Sequence, residues 1–153
     1  MELLLLILNT KQLLGKIYFN KLSLSGEKQI IDGFQSYIRK KRNLRSRILK
    51  VDGGFHSQML AEAKVEFLDF LSPYIIQKPI LNILSTIDAK ILKSPDEIKE
   101  KLAAQFTEPV QFQKAVEFCL RENVNEFYEM SYKKSLTNHV YNISSMYPEH
   151  NKP

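Results

Sequence analysis

Short apolar runs alternate with stretches of helical periodicity along most of the chain. Strand-like runs are predicted at residues 22–24, 45–51 and 79–84, and a last one at residues 125–130. The run at 79–84 reads Pro-Ile-Leu-Asn-Ile-Leu, which is continuous and bounded by turn-forming residues, as in a strand buried on both faces. Between these runs, apolar side chains recur every three or four positions. The alternation favours an α/β layer fold.

Each predicted helix carries one apolar face. The positions are Ile30, Ile31, Phe34 and Ile38 in the first helix; Leu60, Ala63, Phe67, Phe70 and Leu71 in the second; Ile98, Leu102 and Phe106 in the third; and Phe112, Val116, Cys119 and Leu120 in the fourth. The third helix opens on a Ser-Pro-Asp-Glu capping box at residues 94–97, with proline at the first helical position. We expect these faces to form the core.

A chain of 153 residues can bury one modest core. The single cysteine, Cys119, cannot form an internal disulfide, which favours a reducing compartment such as the cytoplasm. Its place on an apolar helix face predicts packing rather than a reactive thiol. No cysteine and histidine cluster has metal-ligand spacing, and His139 and His150 have no useful neighbour. We therefore predict no bound metal.

Residues 1–8 form an apolar run that is far too short to span a bilayer, so no membrane span is predicted. The run also lacks the basic region and small-residue cleavage site of a signal peptide. It is predicted to begin a buried strand or helix. The alternative is sequence gained from a shifted start, which would be exposed and adhesive.

The net charge of +5 is concentrated in residues 39–47, which hold six basic side chains. Three interpretations compete. The run can be a solvated helix end, where basic groups suit the negative pole of the helix dipole. It can bind nucleic acid, although no aromatic side chains are interleaved for base stacking, which argues against that partner. The third interpretation is a protein partner of opposite charge.

The most informative residues are 51–57, where a histidine follows a Gly-Gly-Phe turn and precedes a predicted helix. Two glycines allow a sharp turn and a close approach to a ligand. An imidazole titrates near neutrality and can exchange protons, so His56 is a candidate catalytic base. Taken alone, a single histidine is more often an ordinary surface or core residue. The sequence after His56 decides between a catalytic base and an ordinary histidine.

Four segments, in order, resemble the malonyl-CoA:acyl-carrier-protein transacylases and the acyltransferase domains of fatty-acid and polyketide synthases. Residues 52–57 stand where the family has Ser-Gly-Ala-Phe-His-Ser, and residues 105–112 resemble its Gln-Leu-x-x-Pro-Val-x-Trp segment. Residues 22–27 resemble the start of part of the small subdomain, and residues 127–137 resemble the closing Phe-x-Glu-Val-Gly-Pro-Gly-Lys-x-Leu-Thr. The resemblance extends over about residues 22–143 and covers the C-terminal part of the family only.

The resemblance implies an α/β fold: the C-terminal part of an α/β-hydrolase-like acyltransferase core with a partial ferredoxin-like small subdomain. Residues 21–52 would form the partial subdomain and residues 53–145 the part of the core. An atypical segment at residues 1–20 would precede them, and a frayed tail at residues 146–153 would follow.

The resemblance also implies roles for individual residues. His56 would be the catalytic base, and Gln105 would orient it, commonly through its backbone carbonyl, so the two should lie close together. We expect this at the carboxyl ends of parallel strands, where open α/β sheets place their sites. Phe55 would favour malonyl over methylmalonyl groups because its ring takes the space of an α-methyl, although packing under the turn explains it equally well. The substrates would be malonyl-CoA and the phosphopantetheine thiol of an acyl-carrier protein, with no bound cofactor.

The implied carrier protein gives the basic run its third interpretation. Carrier proteins are acidic, and the run lies in the subdomain that helps to receive them. Opposite charge there would steer the encounter more than add affinity. The predicted contacts are Arg39, Lys40, Arg42 and Arg45.

Two departures from the family matter. Ser131, Tyr132 and Lys133 replace its Gly-Pro-Gly turn, so the local turn must differ. No Gly-His-Ser-x-Gly string occurs, and that strand-to-helix elbow carries the family nucleophile. We therefore expect the isolated chain to be inactive: a truncated product, a mis-split reading frame or a degenerate half.

Two functions remain open. The chain can be a malonyltransferase fragment that works only with its N-terminal half, in the cytoplasm or in an organelle of fatty-acid synthesis. It can instead be a non-catalytic half-domain that binds an acyl-carrier protein or a synthase.

Overall fold

A computed structural model describes residues 2–5, 14–18, 21–41, 45–49, 51–132 and 135–147 of the chain. The strands are β1 (Glu2–Leu5), β2 (Leu14–Tyr18), β3 (Lys21–Leu24), β4 (Arg45–Ile48), β5 (Ile83–Leu84) and β6 (Ile91–Leu92). The helices are α1 (Lys28–Lys41), α2 (Ala61–Leu71), α3 (Pro95–Thr107), α4 (Phe112–Arg121) and α5 (Thr137–Ser144), with a 3-10 turn at Gln58–Leu60 before α2. The fold is mixed α/β. No helix in these ranges is long and apolar enough to cross a membrane.

The first four strands form one sheet in the order β2-β3-β1-β4. β1 pairs in parallel with β3 on one side and with β4 on the other, and β2 is antiparallel to β3. The unit β3-α1-β4 is therefore a β-α-β crossover with β1 inserted between its strands. The described part of the apolar N-terminal run, Glu2–Leu5, is thus a strand that lies inside the sheet.

Helix α1 packs on this sheet through the predicted apolar face. Leu24, Ile31 and Ile38 are buried in one cluster, with Leu22 packed against it. Phe34 lies toward the edge of that face and is partly exposed. The spacing of seven positions between Ile31 and Ile38 places them on the same side of the helix, two turns apart.

The remaining helices form two pairs. Helix α2 packs on α3, where the rings of Phe67 and Phe106 lie 5.0 Å apart between centroids. Helix α4 packs on α5 through a buried cluster of Val116, Leu120 and Ile143. The predicted cap is confirmed at Ser94, whose hydroxyl accepts a hydrogen bond from the backbone N–H of Glu97 at the head of α3. The Glu97 carboxylate accepts from the N–H of Lys93, one residue before the position that a capping box uses.

The buried side chains of α3 differ from the predicted stripe. Ala103, Ala104 and Thr107 are buried, whereas Leu102 is exposed. Small side chains allow helix backbones to approach closely, so the contact face of α3 lies one position further along than its largest apolar residues suggest.

Two predicted strands do not form as expected. Of residues 79–84 only Ile83–Leu84 pairs, in a two-residue antiparallel ladder with Ile91–Leu92. The described residues 125–130 contain no strand. The prediction of a strand buried on both faces was wrong, since Ile80 is 99% exposed. A strand needs a partner edge for its hydrogen bonds, and the described residues supply none to residues 79–82 and 125–130.

Candidate active site

The histidine predicted as a catalytic base lies in a turn that leads from β4 to the 3-10 turn. Ser57 fixes the end of this turn: its hydroxyl donates to the carbonyl of Gly54 at 2.6 Å and accepts from the N–H of Met59 at 3.4 Å. Ser57 is buried and caps the 3-10 turn, so His56 precedes the helical segment instead of opening it. With its hydroxyl engaged in this way, Ser57 is a structural residue of the turn.

The two glycines of the turn have different roles, and neither has a positive φ. A Cβ on Gly54 would lie 2.7 Å from the sulfur of Met59 and 3.2 Å from the hydroxyl of Ser57, so a larger residue requires the half-exposed Met59 side chain to move and Ser57 to shift slightly. A Cβ on Gly53 would meet only the ring of Phe55, at 3.8 Å. Gly54 therefore allows close packing within the turn, and Gly53 is not sterically required.

The unusual backbone belongs to His56, whose φ is 59°. This left-handed region costs a non-glycine residue about 1 kcal/mol or more. Such conformations persist where the surrounding contacts hold them, and they are enriched at functional sites. The Gly-Gly pair predicted a flexible turn at the glycines. The strained backbone angle of the turn lies at His56 instead.

The partner of this histidine is provided by the end of α3. In an α-helix the carbonyl of Gln105 would accept from the N–H of residue 109, but Pro109 has no N–H. The helix ends at Thr107, and Glu108 is extended with ψ of 151°, as expected for the residue before a proline. The carbonyl of Gln105 is therefore left open for another donor.

His56 and Gln105 meet at this point. Nδ1 of His56 lies 2.7 Å from the backbone oxygen of Gln105, across 49 positions of sequence. A carbonyl oxygen only accepts, so Nδ1 carries the hydrogen in this contact and Nε2 of the neutral ring keeps its lone pair. The predicted proximity is confirmed. The side chain of Gln105 is exposed and takes no part.

The location of the contact agrees only partly with the expected one. On one side the contact agrees with the expectation, because the turn with His56 follows β4, which pairs in parallel with β1. On the other side it does not, because the described strand before α3 is β6, whose pairing with β5 is antiparallel. The packing of α2 on α3 supports it, since the ring of Phe67 contacts the ring of Phe106, the residue after Gln105, with a tilt of 38° between their planes. A half-buried imidazole with one nitrogen fixed and the other basic can accept a proton from a hydroxyl or thiol placed beside it.

The other predicted site residues are placed as follows. Phe55 is 48% exposed, so it is not fully packed under the turn. Arg39 and Lys40 are exposed on the last turn of α1. Arg45 lies in β4, where the structure describes only its backbone, and Arg42 falls outside the described residues. In the described part of the chain, no group of three or more histidine, cysteine, aspartate or glutamate side chains could hold a metal ion.

Sequence reasoning missed the role of Glu129. Its carboxylate accepts six hydrogen bonds of 2.6 to 3.2 Å, from the hydroxyl of Ser131, from the N–H and hydroxyl of Ser135, from the N–H of Leu136, and from the N–H and hydroxyl of Thr137. The Thr137 hydroxyl and the backbone N–H of Leu136 hold the pKa of Glu129 well below its usual range. This carboxylate connects Ser131 with residues 135–137 at the start of α5. The sequence feature that could have indicated this role is a glutamate shortly before the Ser-Leu-Thr string at residues 135–137.

Beside this carboxylate lies an apolar cavity of about 600 Å³. Its lining comes from α4, α5, residues 127–131 and Leu84. Cys119 lies in the wall, where burial raises the pKa of its thiol. The thiol therefore stays protonated near neutral pH, which agrees with a packing role.

Comparisons with known proteins place this geometry in context, although no family model matches the chain. The malonyl CoA-acyl carrier protein transacylase of Bacillus subtilis strain 168 is 28% identical over 96 residues, which is 63% of this chain and 30% of that protein. The chain thus spans less than a third of that relative's length.

Solved structures of malonyl-transacylases are also similar to this chain. An acyl-carrier-protein S-malonyltransferase from Burkholderia pseudomallei 1710b superposes with a TM-score of 0.72 at 26% identity, over 77% of this chain and 38% of that one. A malonyl-transacylase solved in complex with a type II polyketide synthase acyl-carrier protein gives a TM-score of 0.74 at 22% identity, over 78% and 39%. The relatives and structural neighbours of this chain are therefore malonyl-CoA:acyl-carrier-protein transacylases and acyltransferase domains, and the chain matches their C-terminal part.

Proposed function

We propose that this chain provides the histidine-bearing part of a malonyl-CoA:acyl-carrier-protein transacylase of fatty-acid or polyketide synthesis. The observation that carries the proposal is the 2.7 Å contact between Nδ1 of His56 and the backbone oxygen of Gln105. It leaves Nε2 as the free base. The similarity to transacylases supports the substrate class, malonyl-CoA and an acyl-carrier protein.

The proposed reaction proceeds in two steps. Nε2 of His56 takes the hydroxyl proton of a serine as that serine attacks the malonyl thioester, and returns a proton to the departing CoA thiolate. His56 then takes the proton of the carrier's phosphopantetheine thiol as the sulfur attacks the acyl-serine, and gives that proton to the departing serine oxygen. The chemistry needs no cofactor or metal. The serine must come from outside this sequence, which has no Gly-His-Ser-x-Gly elbow.

Three further roles belong to the proposal. Gln105 orients the imidazole through its main chain. Phe55, half exposed beside His56, contacts the malonyl group and disfavours an α-methyl. Arg39 and Lys40 attract the acidic carrier protein, together with Arg42 and Arg45. A reducing compartment such as the cytoplasm fits the single thiol.

A direct assay tests the proposal. The chain is co-expressed with the N-terminal part of the Bacillus subtilis transacylase, and transfer from malonyl-CoA to carrier protein is measured. We expect no transfer from either part alone and transfer from the pair, which His56→Ala abolishes and Gln105→Ala retains. Transfer that survives His56→Ala would contradict the assignment of the base.

A second candidate is a non-catalytic half-domain that binds an acyl-carrier protein. The exposed Arg39 and Lys40 and the missing nucleophile favour it. It predicts binding to the carrier protein by the chain alone, with a strong dependence on salt, and no transfer by the pair.

A further inference from the structure

The turn that carries His56 is anchored at both ends by buried residues. Gly54 and Ser57 are buried, whereas Phe55 is 48% exposed and His56 is half-buried. The turn therefore has two points fixed in the protein interior, and the two residues between them lie at the surface. A contact that joins the two fixed points restrains the segment that carries the imidazole.

The hydroxyl of Ser57 makes this contact. A serine hydroxyl has one hydrogen, and here it is donated to the carbonyl of Gly54 at 2.6 Å. This bond closes a ring that contains Phe55 and His56. The same oxygen accepts from the N–H of Met59 at 3.4 Å, which ties the ring to the 3-10 turn that follows. One side chain thus connects both ends of the turn to each other and to the helical segment.

The strained residue lies inside this ring. Of residues 54–57 only His56 has a positive φ, as the third residue of a type II turn does, and that position favours glycine. A return of His56 to a negative φ would turn its Cα–Cβ bond, and with it the ring, away from the end of α3. The contact between Nδ1 and the carbonyl of Gln105 therefore depends on the left-handed backbone.

The imidazole contact alone does not secure this backbone. The net contribution of one hydrogen bond and the cost of a left-handed angle are of similar size. The bond to Gln105 is thus offset by the strain of the backbone that delivers the ring. A second restraint is needed to favour the strained turn, and the buried hydroxyl of Ser57 supplies it. If the hydroxyl were removed, the carbonyl of the buried Gly54 would lose this donor.

We propose that Ser57 is a positioning residue for the catalytic base. Its hydroxyl holds the backbone of His56 in the left-handed conformation, which keeps Nδ1 on the carbonyl of Gln105 and leaves Nε2 free to accept a proton. The consequence for acyl transfer rests on the proposed function. The consequence for the imidazole itself does not, so the two can be tested separately.

The first test follows the imidazole nitrogens by NMR in the full chain, at a pH where the ring is neutral. The signals of His56 are assigned by their loss in His56→Ala. We expect Ser57→Ala to change the ring from a dominant Nδ1–H tautomer to a mixture. Ser57→Thr keeps the hydroxyl, and threonine readily adopts the extended backbone of this position, with φ of −141° and ψ of 164°. It should retain the dominant tautomer.

The matched control is Ser94→Ala. It removes another serine hydroxyl that caps a helical segment, the one that accepts from the N–H of Glu97 at 3.2 Å, and it leaves the turn with His56 untouched. We expect a less stable chain with an unchanged tautomer. Circular dichroism verifies that each variant is folded. If Ser57→Ala is not, Ser57→Cys replaces it, because a thiol of similar size is only a weak donor and should also give the mixture.

The second test measures transfer from malonyl-CoA by the chain paired with the N-terminal part of the Bacillus subtilis transacylase. Ser57→Ala should lower kcat about tenfold or more and change KM little, because a misplaced base slows proton transfer without removing a contact to substrate. Ser57→Thr should keep kcat within about threefold of the unaltered pair.

The outcomes are distinct. An unchanged tautomer in the folded Ser57→Ala or Ser57→Cys chain would overturn the positioning role. So would an equal change in Ser94→Ala, since the tautomer would then follow overall stability. Transfer by the pair with an unaltered kcat in Ser57→Ala would keep the proposed function and reject the positioning role. The expected change of tautomer without any transfer by the unaltered pair would do the reverse.

Discussion

Pro109 lies four residues after Gln105 and has no N–H to donate to its carbonyl, so the end of α3 presents an open acceptor to His56. The Gln-x-x-x-Pro spacing thereby fixes the tautomer of a residue 49 positions away. The family-like motif at residues 105–112 is thus explained by the backbone at its first position.

Pro109→Ala should weaken this contact, because alanine supplies an N–H that can continue the helix and compete for the carbonyl. We expect the His56 ring to change from a dominant Nδ1–H tautomer to a mixture. Nitrogen chemical shifts of the imidazole measure this directly. Gln105→Ala is the control, and a tautomer change in that variant would show that the side chain, not the main chain, holds the ring.

Gly54→Ala should destabilise the fold by about 1 kcal/mol, because the new Cβ would lie 3.2 Å from the buried Ser57 hydroxyl and would displace the half-exposed Met59 side chain. Gly53→Ala meets no such contact and should change the free energy of unfolding little. Urea denaturation of the two variants gives the comparison. Equal losses would indicate that both glycines serve backbone conformation.

Glu129 should make the stability of the chain depend on acid pH. Its pKa is lowered in the fold by the donors of Thr137 and Leu136, from an ordinary value of 4.5. Its contribution is therefore present above about pH 4.5 and is lost as the pH falls through the lower folded value. Glu129→Gln should lower the thermal midpoint at pH 7, and the difference from the unaltered chain should shrink in acid.

The matched control for this experiment is Glu122→Gln, which neutralises an exposed carboxylate at the end of α4. We expect no comparable pH-dependent difference. A gap between Glu129→Gln and the unaltered chain that stays constant down to pH 2 would contradict an ionic role for Glu129.

Charge reversal at Arg39 and Lys40 should weaken binding of an acyl-carrier protein and flatten its dependence on salt, since screening acts within about 10 Å at 0.1 M. Calorimetry at two salt concentrations measures both effects. Lys28→Glu with Lys114→Glu makes the same change of net charge at exposed sites elsewhere. If both pairs of substitutions weakened binding equally, the cause would be the overall charge of the chain and not the position of Arg39 and Lys40.

Phe55→Ser, in the chain paired with a nucleophile-bearing half, should increase transfer of methylmalonyl relative to malonyl groups. The reason is space: removing a half-exposed ring beside His56 makes room for an α-methyl. Competition between the two thioesters gives the ratio of their kcat/KM values. An unchanged ratio would assign Phe55 to the turn alone.

The apolar pattern predicted the helices, and the resemblance to the transacylases implied the His56–Gln105 contact. Both depend on residues within the chain. Apolar periodicity located Ile31 and Ile38 in the core, and the capping box at residues 94–97 marked the start of α3. The strands predicted at residues 79–84 and 125–130 have the right composition. Strand pairing depends on a neighbouring strand, however, and the composition of a segment does not reveal whether such a strand lies beside it.

The details of the site could not be predicted. Glycine allows both unusual backbone angles and close packing, and a sequence does not show which is used. In this turn Gly54 allows the close packing, and His56 adopts the left-handed backbone angle. The donors to the Glu129 carboxylate are brought together by these hydrogen bonds themselves. No periodic pattern in the sequence therefore predicts them.

The position of β1 in the middle of its sheet has a consequence for the order of folding. Both neighbours of Glu2–Leu5 are synthesised later, and β4 is complete only at Ile48. The sheet cannot close until residues 6–44 have been made, and the entropy of closing that loop is lost before the hydrogen bonds between the strands form. Removing residues 2–5 would therefore leave β2 and β3 as an isolated hairpin and β4 without a strand beside it.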